Sequence, residues 1–237
     1  GFLISLFTFK GSFVSNKYLA LNINIVAGFL LLVYPLCFGF IEKNKFPYLF
    51  MFLAFVIFAA IAVTKSRSVI LSAYAVTFFY LFLFKKNTAF KILFFLITSA
   101  LLTGLIFAFN YKTDWSSISD RLIWWKAAIS MFKDYPISGV GFGNYSALCL
   151  TYRPEMSLNA MFAHNSFLQI LAETGVVGII AFIAAAYAVK RNVFINRENG
   201  VYDPYTKASL ISLSAFLIVN IVDYSLLVPL NMLTFFI

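Results

Sequence analysis

Charge is scarce in this chain: 11% of its 237 residues are charged, where an ordinary soluble domain carries about a quarter. Acidic groups are the scarcer sign, with 9 Asp and Glu against 18 Lys and Arg. There are two cysteines and one histidine. Cys37 lies in an apolar run and Cys149 in a polar segment, so the pair suggests neither a disulfide framework nor a metal site. Hydrophobic residues make up 62% of the chain, Phe alone occurs 30 times, and the mean hydropathy is +0.90. Side chains at that density are satisfied only where lipid is the solvent for much of the surface. An ordinary water-soluble enzyme, a disordered chain and a nucleic-acid-binding module are excluded. The net charge of +9 does not reverse this. The basic residues fall in the gaps between apolar runs, as in a multi-pass membrane protein facing anionic headgroups.

Six apolar segments approach the ~20 residues that a spanning helix needs. They run Tyr18–Phe40, Phe46–Val63, Val69–Phe84, Phe90–Phe109, Asn165–Val189 and Ala208–Leu227, with a partial segment at each end. Backbone groups in hydrocarbon must pair within their own segment, so each is read as a helix. The expected fold is all-α: a polytopic membrane bundle of about six full spans, forming one domain over residues 1–237. The chain starts at Gly1 and stops inside an apolar stretch, so it is expected to be the C-terminal portion of a longer protein. Residues 110–164 form the one long connection and hold all three tryptophans. A long loop in a compact bundle is usually functional.

Lys43, Lys45, Lys85, Lys86, Lys91, Lys190, Arg191, Arg197 and Lys207 fall on one side of such a bundle. Lys10, Lys17, Lys65, Arg67 and the long loop fall on the other. Lys plus Arg counts are equal, but long segments are discounted in the positive-inside rule. The lysine-rich turns are therefore expected in the cytoplasm and the loop outside.

His164 stands where the loop re-enters the membrane. At 100° per residue, Gly175 lies about 20° and Gly178 about 40° from it around a helix. His164, Leu171, Gly175 and Gly178 would then share a face turned inward by close packing at the glycines. The competing reading is an interfacial histidine beside ordinary packing glycines. Lys65 and Arg67 occupy a short outer turn, where positive charge has no topological use. They are candidates for an anionic ligand, Arg the better because its fork can hold a phosphate bidentately; snorkelling to headgroups is the alternative.

Within the loop, SDRLIWWKAAISMFKDYP reads as an amphipathic surface helix. Ser119 or Asp120 would cap it and Pro136 end it. Leu122, Trp125, Ile129 and Phe132 form one stripe, and Lys126, Ser130 and Lys133 another. Arg121 falls in the first turn, where the helix dipole disfavours a cation, and this points to function rather than stability. Gly139–Asn144, GVGFGN, reads as a tight turn and is not a dinucleotide fingerprint. Glu173 and Asp223 lie in apolar segments, where acidic groups usually face protein or a wet cavity. Glu173 is about 180° from His164 and serves another contact, whereas Asp223 could pair with an arginine. No Asp-Asp or Asp-x-Asp pair occurs in an outer loop, so a divalent-metal mechanism is not expected.

Taken in order, these residues resemble the bacterial O-antigen ligase and O-antigen polymerase family. The elements are Ser66-Arg67 in a short turn, Arg121-x-x-Trp124-Trp125 in a long loop, Pro136-x-x-Gly139-Val140-Gly141-Phe142-Gly143-Asn144, and His164-Asn165 followed after nine residues by Gly175 and then Gly178. The match covers roughly residues 60 to 227. The resemblance implies a metal-independent, GT-C-like membrane glycosyltransferase that uses no cofactor. It implies a glycan donor on undecaprenyl diphosphate and an acceptor hydroxyl on lipid A core or a growing glycan. The implied location is the bacterial inner membrane, with the loop in the periplasm. Arg67 and Arg121 would hold the diphosphate and His164 would be the base; Lys65, Arg153, Asn165 and Asp223 are possible supporting residues. A transporter or flippase of lipid-linked glycans is the runner-up. It should show inverted repeats and broken helices, and neither is legible in the sequence. A structural subunit without chemistry is the third reading.

Overall fold

The structure, a computed structural model, describes residues 23–83, 89, 92–93, 95–100, 104, 116–152, 160–195, 202–228 and 231. Among these every regular element is helical. The helices are α1 (Ile23–Val33), α2 (Leu36–Lys43), α3 (Pro47–Val63), α4 (Arg67–Leu83), α5 (Ser116–Asp134), α6 (Tyr145–Tyr152), α7 (Ser166–Ile195) and α8 (Pro204–Val219), with a 3₁₀ turn at Ser225–Leu227. Pro47 and Pro204 open α3 and α8, where a missing N–H costs nothing. Asp203 caps α8 by accepting from the Tyr205 amide at 3.0 Å.

By length and composition alone two described stretches could cross a membrane, Ile23–Lys43 and Ser166–Ala188, the second of them interrupted at Gly175. The first is α1 and α2 in sequence, interrupted at Tyr34–Pro35 where proline removes an amide. Pro47–Val63 and Pro204–Val219 are apolar but shorter. Of the six expected spans, Phe90–Phe109 lies largely outside the described residues, as does Arg153.

The bundle core gathers Leu31, Tyr34, Phe38, Phe58, Ile61 and Val69, all buried. Tyr34 hydrogen-bonds Thr77 at 2.5 Å, and Phe38 stacks on Tyr80 with ring centroids 4.2 Å apart. α8 runs along α1 and α2, and the Ser212 hydroxyl donates to the Leu32 carbonyl. At one end Lys43 meets Asp203 at 3.5 Å, a half-exposed pair of little energetic weight. At the other end α5, α6 and the start of α7 form a second core of Ala127, Ala128, Met131, Tyr145, Cys149, Ala163 and Ala172.

α7 is broken. Gly175 sits at φ 62°, ψ −161°. In a straight helix Phe167 and Phe182 would be separated by about 22 Å of rise; their rings are 6.1 Å apart. The two limbs, 166–174 and 176–195, fold back on each other. The break frees backbone groups that must be paired elsewhere. Residues 136–141 pair them: the Val140 and Gly141 amides donate to the Ala172 and Glu173 carbonyls, both at 2.9 Å, and the Val176 and Val177 amides donate to the Pro136 and Ile137 carbonyls at 2.9 and 3.4 Å. The backbones approach so closely that a Cβ on Gly175 would lie 2.3 Å from the Ile137 oxygen, and one on Gly139 2.3 Å from the Glu173 carbonyl carbon.

This overturns the helical wheel drawn through His164. The histidine precedes the helix, at φ 51°, and Gly175 interrupts it. α5 begins at Ser116, so neither Ser119 nor Asp120 caps it and Arg121 lies beyond its first turn. The dipole argument for Arg121 therefore falls. Leu122 and Ile129 of the expected stripe are the exposed side of α5; Ala127, Ala128 and Met131 are the buried side.

Candidate functional site

Four chain segments meet at the end of the bundle opposite the Lys43–Asp203 pair. The first is the turn between α3 and α4. Thr64 shapes it, donating to the Ile61 carbonyl at 2.5 Å and accepting from the Ser66 amide at 3.3 Å. Thr64 and Ser66 are buried, Lys65 adopts φ 57°, and Arg67 is exposed as the first residue of α4.

The second segment carries His164. Asn165 caps α7, its side-chain oxygen accepting from the Phe167 and Leu168 amides at 3.1 and 3.0 Å. That cap sets the histidine just outside the helix. Gln169 holds the approach from the other side, accepting from the Ala163 amide at 2.9 Å and donating to Glu173 at 3.2 Å. Glu173 in turn accepts from the Gly143 and Tyr145 amides at 3.0 and 3.2 Å. Thus the GVGFGN turn, with positive φ at Gly139, Gly141 and Gly143, is tied through two buried side chains to the histidine segment.

The third segment follows α8, which ends at Val219, so Asp223 lies beyond the helix rather than within an apolar span. Asn220 organises this turn. Its side-chain oxygen accepts from the Leu226 amide at 2.8 Å and the Ser166 hydroxyl at 2.7 Å. The Ser166 amide donates to the carbonyls of Asn220 and Asp223, both at 3.0 Å, which locks the start of α7 to the end of α8. The fourth segment is α5, which supplies Arg121 and Trp124.

The His164 ring stacks on Trp124 at 5.0 Å and meets the edge of Tyr224 at 4.8 Å; Phe162 stacks on Tyr224 at 4.3 Å. Burial in this aromatic setting, and next the Arg121 charge, lower the His164 pKa to about 4. Burial raises Asp223 to about 6, against the pull of the Tyr224 amide and of Arg121. Arg121 is itself lowered by burial, with Asp223 opposing that shift and Arg67 adding to it. Arg121 is therefore close enough to Arg67, Asp223 and His164 to act on each of them electrostatically. His164 Nδ1 and Asp223 Oδ2 are buried with no hydrogen-bond partner among the described residues. Such atoms are expensive to leave unmade and mark where a ligand's polar groups would go.

The structure thus brings together Arg67, Arg121, His164 and Asp223, with Lys65 in the Arg67 turn. Asn165 is present as a helix cap. Sequence reasoning missed Tyr224, Gln169 and Asn220, and used Trp124 only as part of a motif. Trp124 was legible: it follows Arg121 by three residues and so shares its helix face. Among the described residues no group of three His, Cys, Asp or Glu side chains could hold a metal ion. The arrangement offers two cations for an anionic group, a neutral imidazole able to accept a proton, and a carboxyl that titrates near neutrality.

A family model described as O-antigen ligase matches residues 49–183, more than half of the chain. No curated protein matches the chain.

Proposed function

Because the chain belongs to the O-antigen ligase family, we propose that it moves a glycan from undecaprenyl diphosphate to an acceptor sugar hydroxyl, on lipid A core or on a growing surface glycan. The family is one of membrane glycosyltransferases of the ligase and polymerase type. The finer reading adds a donor, an acceptor class and roles for residues. It takes residues 1–237 as one inner-membrane domain with loop 110–164 on the periplasmic side. One observation supports it: Arg121 acts on Arg67, His164 and Asp223, all far apart in sequence, at the end of the bundle where the His164 ring meets Trp124 and Tyr224.

In the proposed reaction Arg67 and Arg121 bind the diphosphate. The acceptor oxygen attacks the anomeric carbon, the sugar–phosphate bond breaks, and the electron pair leaves with the diphosphate. Fixed guanidinium groups stabilise the charge that builds there. His164 takes the hydroxyl proton, which requires it to be neutral, as its burial beside Arg121 makes it. A bound diphosphate would offset the Arg121 charge and strengthen the imidazole as a base when the donor is in place.

Transport is the second reading, and the break in α7 is a feature that a transporter would need. Here the freed groups are consumed by residues 136–141 rather than left to line a passage. The deciding experiment offers the purified protein a lipid-diphosphate-linked glycan and acceptor sugars. The enzyme reading expects transfer, lowered roughly 10²–10⁴-fold in His164→Ala. Translocation across vesicles without transfer would overturn it. Near-normal rates in His164→Gln would make the histidine a positioning group instead of the base.

A further inference from the structure

The GVGFGN turn has no part in the proposed reaction, yet two buried side chains, Gln169 and Glu173, tie it to the histidine segment. Beside the turn lies an open cleft of about 450 Å³, within the usual range for small-ligand pockets. The sequence accounts for its shape. α5 ends at Asp134, before Pro136, and Gly139 and Gly141 take φ 66° and 97°. The chain therefore turns sharply between α5 and α6 and lines the cleft with backbone where other residues would put side chains. Tyr135, just after α5, and Tyr152, the last residue of α6, also line it, with Ser138 and Leu148. Tyr135 is 51% exposed, and the Tyr152 hydroxyl donates to the Asp134 carboxylate, which ties the end of α6 to the end of α5.

This lining has a definite chemistry. Two phenol rings offer flat apolar faces with polar rims, and ordering them costs little conformational entropy. The Ser138 hydroxyl and the glycine backbone add hydrogen-bonding groups. Among the described lining residues none is cationic, so the cleft does not match a phosphate. A pyranose matches it, with C–H faces to lie on the rings and hydroxyls around its rim.

The cleft also stands in a fixed relation to the reacting end. The Val140 and Gly141 amides pair with the Ala172 and Glu173 carbonyls, at one end of the first limb of α7, and His164 stands at the other end. From Ser166 to Thr174 that limb rises about 12 Å, the span of a few linked sugars. We infer that the cleft is a distal carbohydrate subsite: it holds a sugar unit of a glycan chain whose reacting end lies at His164. The inference rests on the proposed glycosyl transfer and deepens it, because such a subsite selects substrates by chain length. The chain is either the donor's glycan or the acceptor's; both offer the same pyranose chemistry. A unit held that far from the breaking bond is bound alike in the ground and transition states, so losing it raises KM and leaves kcat.

The probe is the producing cell's own surface glycan, released and fractionated by length. One arm varies the length of the acceptor against a donor of one sugar unit. The other varies the length of the lipid-diphosphate-linked glycan against the shortest acceptor. Tyr135→Ala removes a ring whose side chain is half exposed, and Ser138→Trp fills the cleft from an exposed position. Phe142→Ala, 80% exposed on the same turn and outside the lining, is the control. Both cleft variants should raise KM about tenfold for long chains in at least one arm, with kcat unchanged and the shortest substrates near wild type. The arm that responds identifies whose glycan occupies the cleft. Equal losses on short and long chains, or no loss on long chains in either arm, would overturn the proposal.

A second measurement does not depend on turnover. Magnetisation passed by NMR from the purified protein to the longest free fragment should be weakened by Tyr135→Ala and not by Phe142→Ala. Equal signals from wild type and both variants would overturn the subsite. Binding that grows with fragment length and needs Tyr135, without any glycosyl transfer, would leave the cleft standing and sink the enzymatic reading. Glycosyl transfer to which the cleft variants are indifferent at every length would do the reverse.

Discussion

Gly175→Ala should undo the join between the loop and α7, and its size can be worked from the structure. Two costs arise. The backbone at φ 62°, ψ −161° is a region that side chains rarely adopt, and holding alanine there costs on the order of 1–3 kcal/mol. The new Cβ would also lie 2.3 Å from the Ile137 oxygen and 2.7 Å from the Gly139 nitrogen, both backbone atoms that cannot swing aside. Relief requires residues 136–141 to lift away. Losing two of their four hydrogen bonds to α7, at roughly 1 kcal/mol each, adds about 2 kcal/mol. The sum, on the order of 3–5 kcal/mol, is a large fraction of a typical folding free energy of ~5–15 kcal/mol.

Gly143→Ala is the control. It too has positive φ, but nothing lies within 4 Å of its added Cβ, so the expected cost is the ~1–2 kcal/mol of a left-handed backbone alone. Thermal unfolding of the purified protein in detergent, read by tryptophan emission, measures the difference. All three tryptophans lie in residues 110–164, so the signal reports the loop. Protease sensitivity near Phe142 should rise in the Gly175 variant and not in the control. Equal destabilisation by the two substitutions would refute the close approach of the backbones at Gly139 and Gly175.

Three further outcomes are expected. Arg67→Lys should lose most transfer although the charge is kept, because an ammonium cannot replace a bidentate fork; near-normal transfer would make Arg67 a headgroup anchor. Since His164 is held near 4, it stays neutral on mild acidification, and any limb of kcat/KM near 6 belongs to Asp223. Asp223→Asn should therefore remove that limb and leave one near 4, whereas a persisting limb at about 6.5, the ordinary histidine value, would refute the burial of His164. Phe142, 80% exposed, should label from outside as Phe142→Cys with an impermeant thiol reagent, with buried Cys149 silent and Lys45→Cys labelled only after permeabilisation. The reverse pattern would invert the orientation.

The helical character was legible because lipid leaves a simple signature, and the candidate residues could be picked out because they are polar islands in an apolar chain. Arg67, Arg121, His164 and Asp223 each stood out against their surroundings. The histidine's immediate geometry did not. Hydropathy over residues 165–189 dips only briefly, at Asn165-Ser166, Gln169 and Glu173-Thr174-Gly175, and such short dips read as polar residues carried within one continuous helix as readily as a cap and a break. Glycine spacing reads equally well as a packing stripe or as a hinge; the difference is decided by residues 136–141, which are distant in sequence. Asp223 was misplaced within a span in the same way, because Ile221, Val222, Leu226 and Leu227 keep the segment apolar on average past the end of α8. Gln169 and Glu173 stand at the i,i+4 spacing of a helix pair, but the backbone amides of Ala163, Gly143 and Tyr145 that they accept from could not be read from the sequence.

The lock of Ser166 onto Asn220 and Asp223 bears on how the protein is made. Synthesis delivers residue 67 first, then 121, then 164, and 223 after them, with α8 still to be made when the histidine has emerged. Until α8 arrives, the Ser166 amide and hydroxyl lack the partners that hold them in the finished fold, and Arg121 lacks its carboxylate. A nascent chain halted before residue 220 would carry both arginines and the histidine, yet without the anchor that sets their relation. Assembly of the candidate site thereby waits for α8: a product truncated before Asn220 would lack the partners that hold Ser166 in the finished fold.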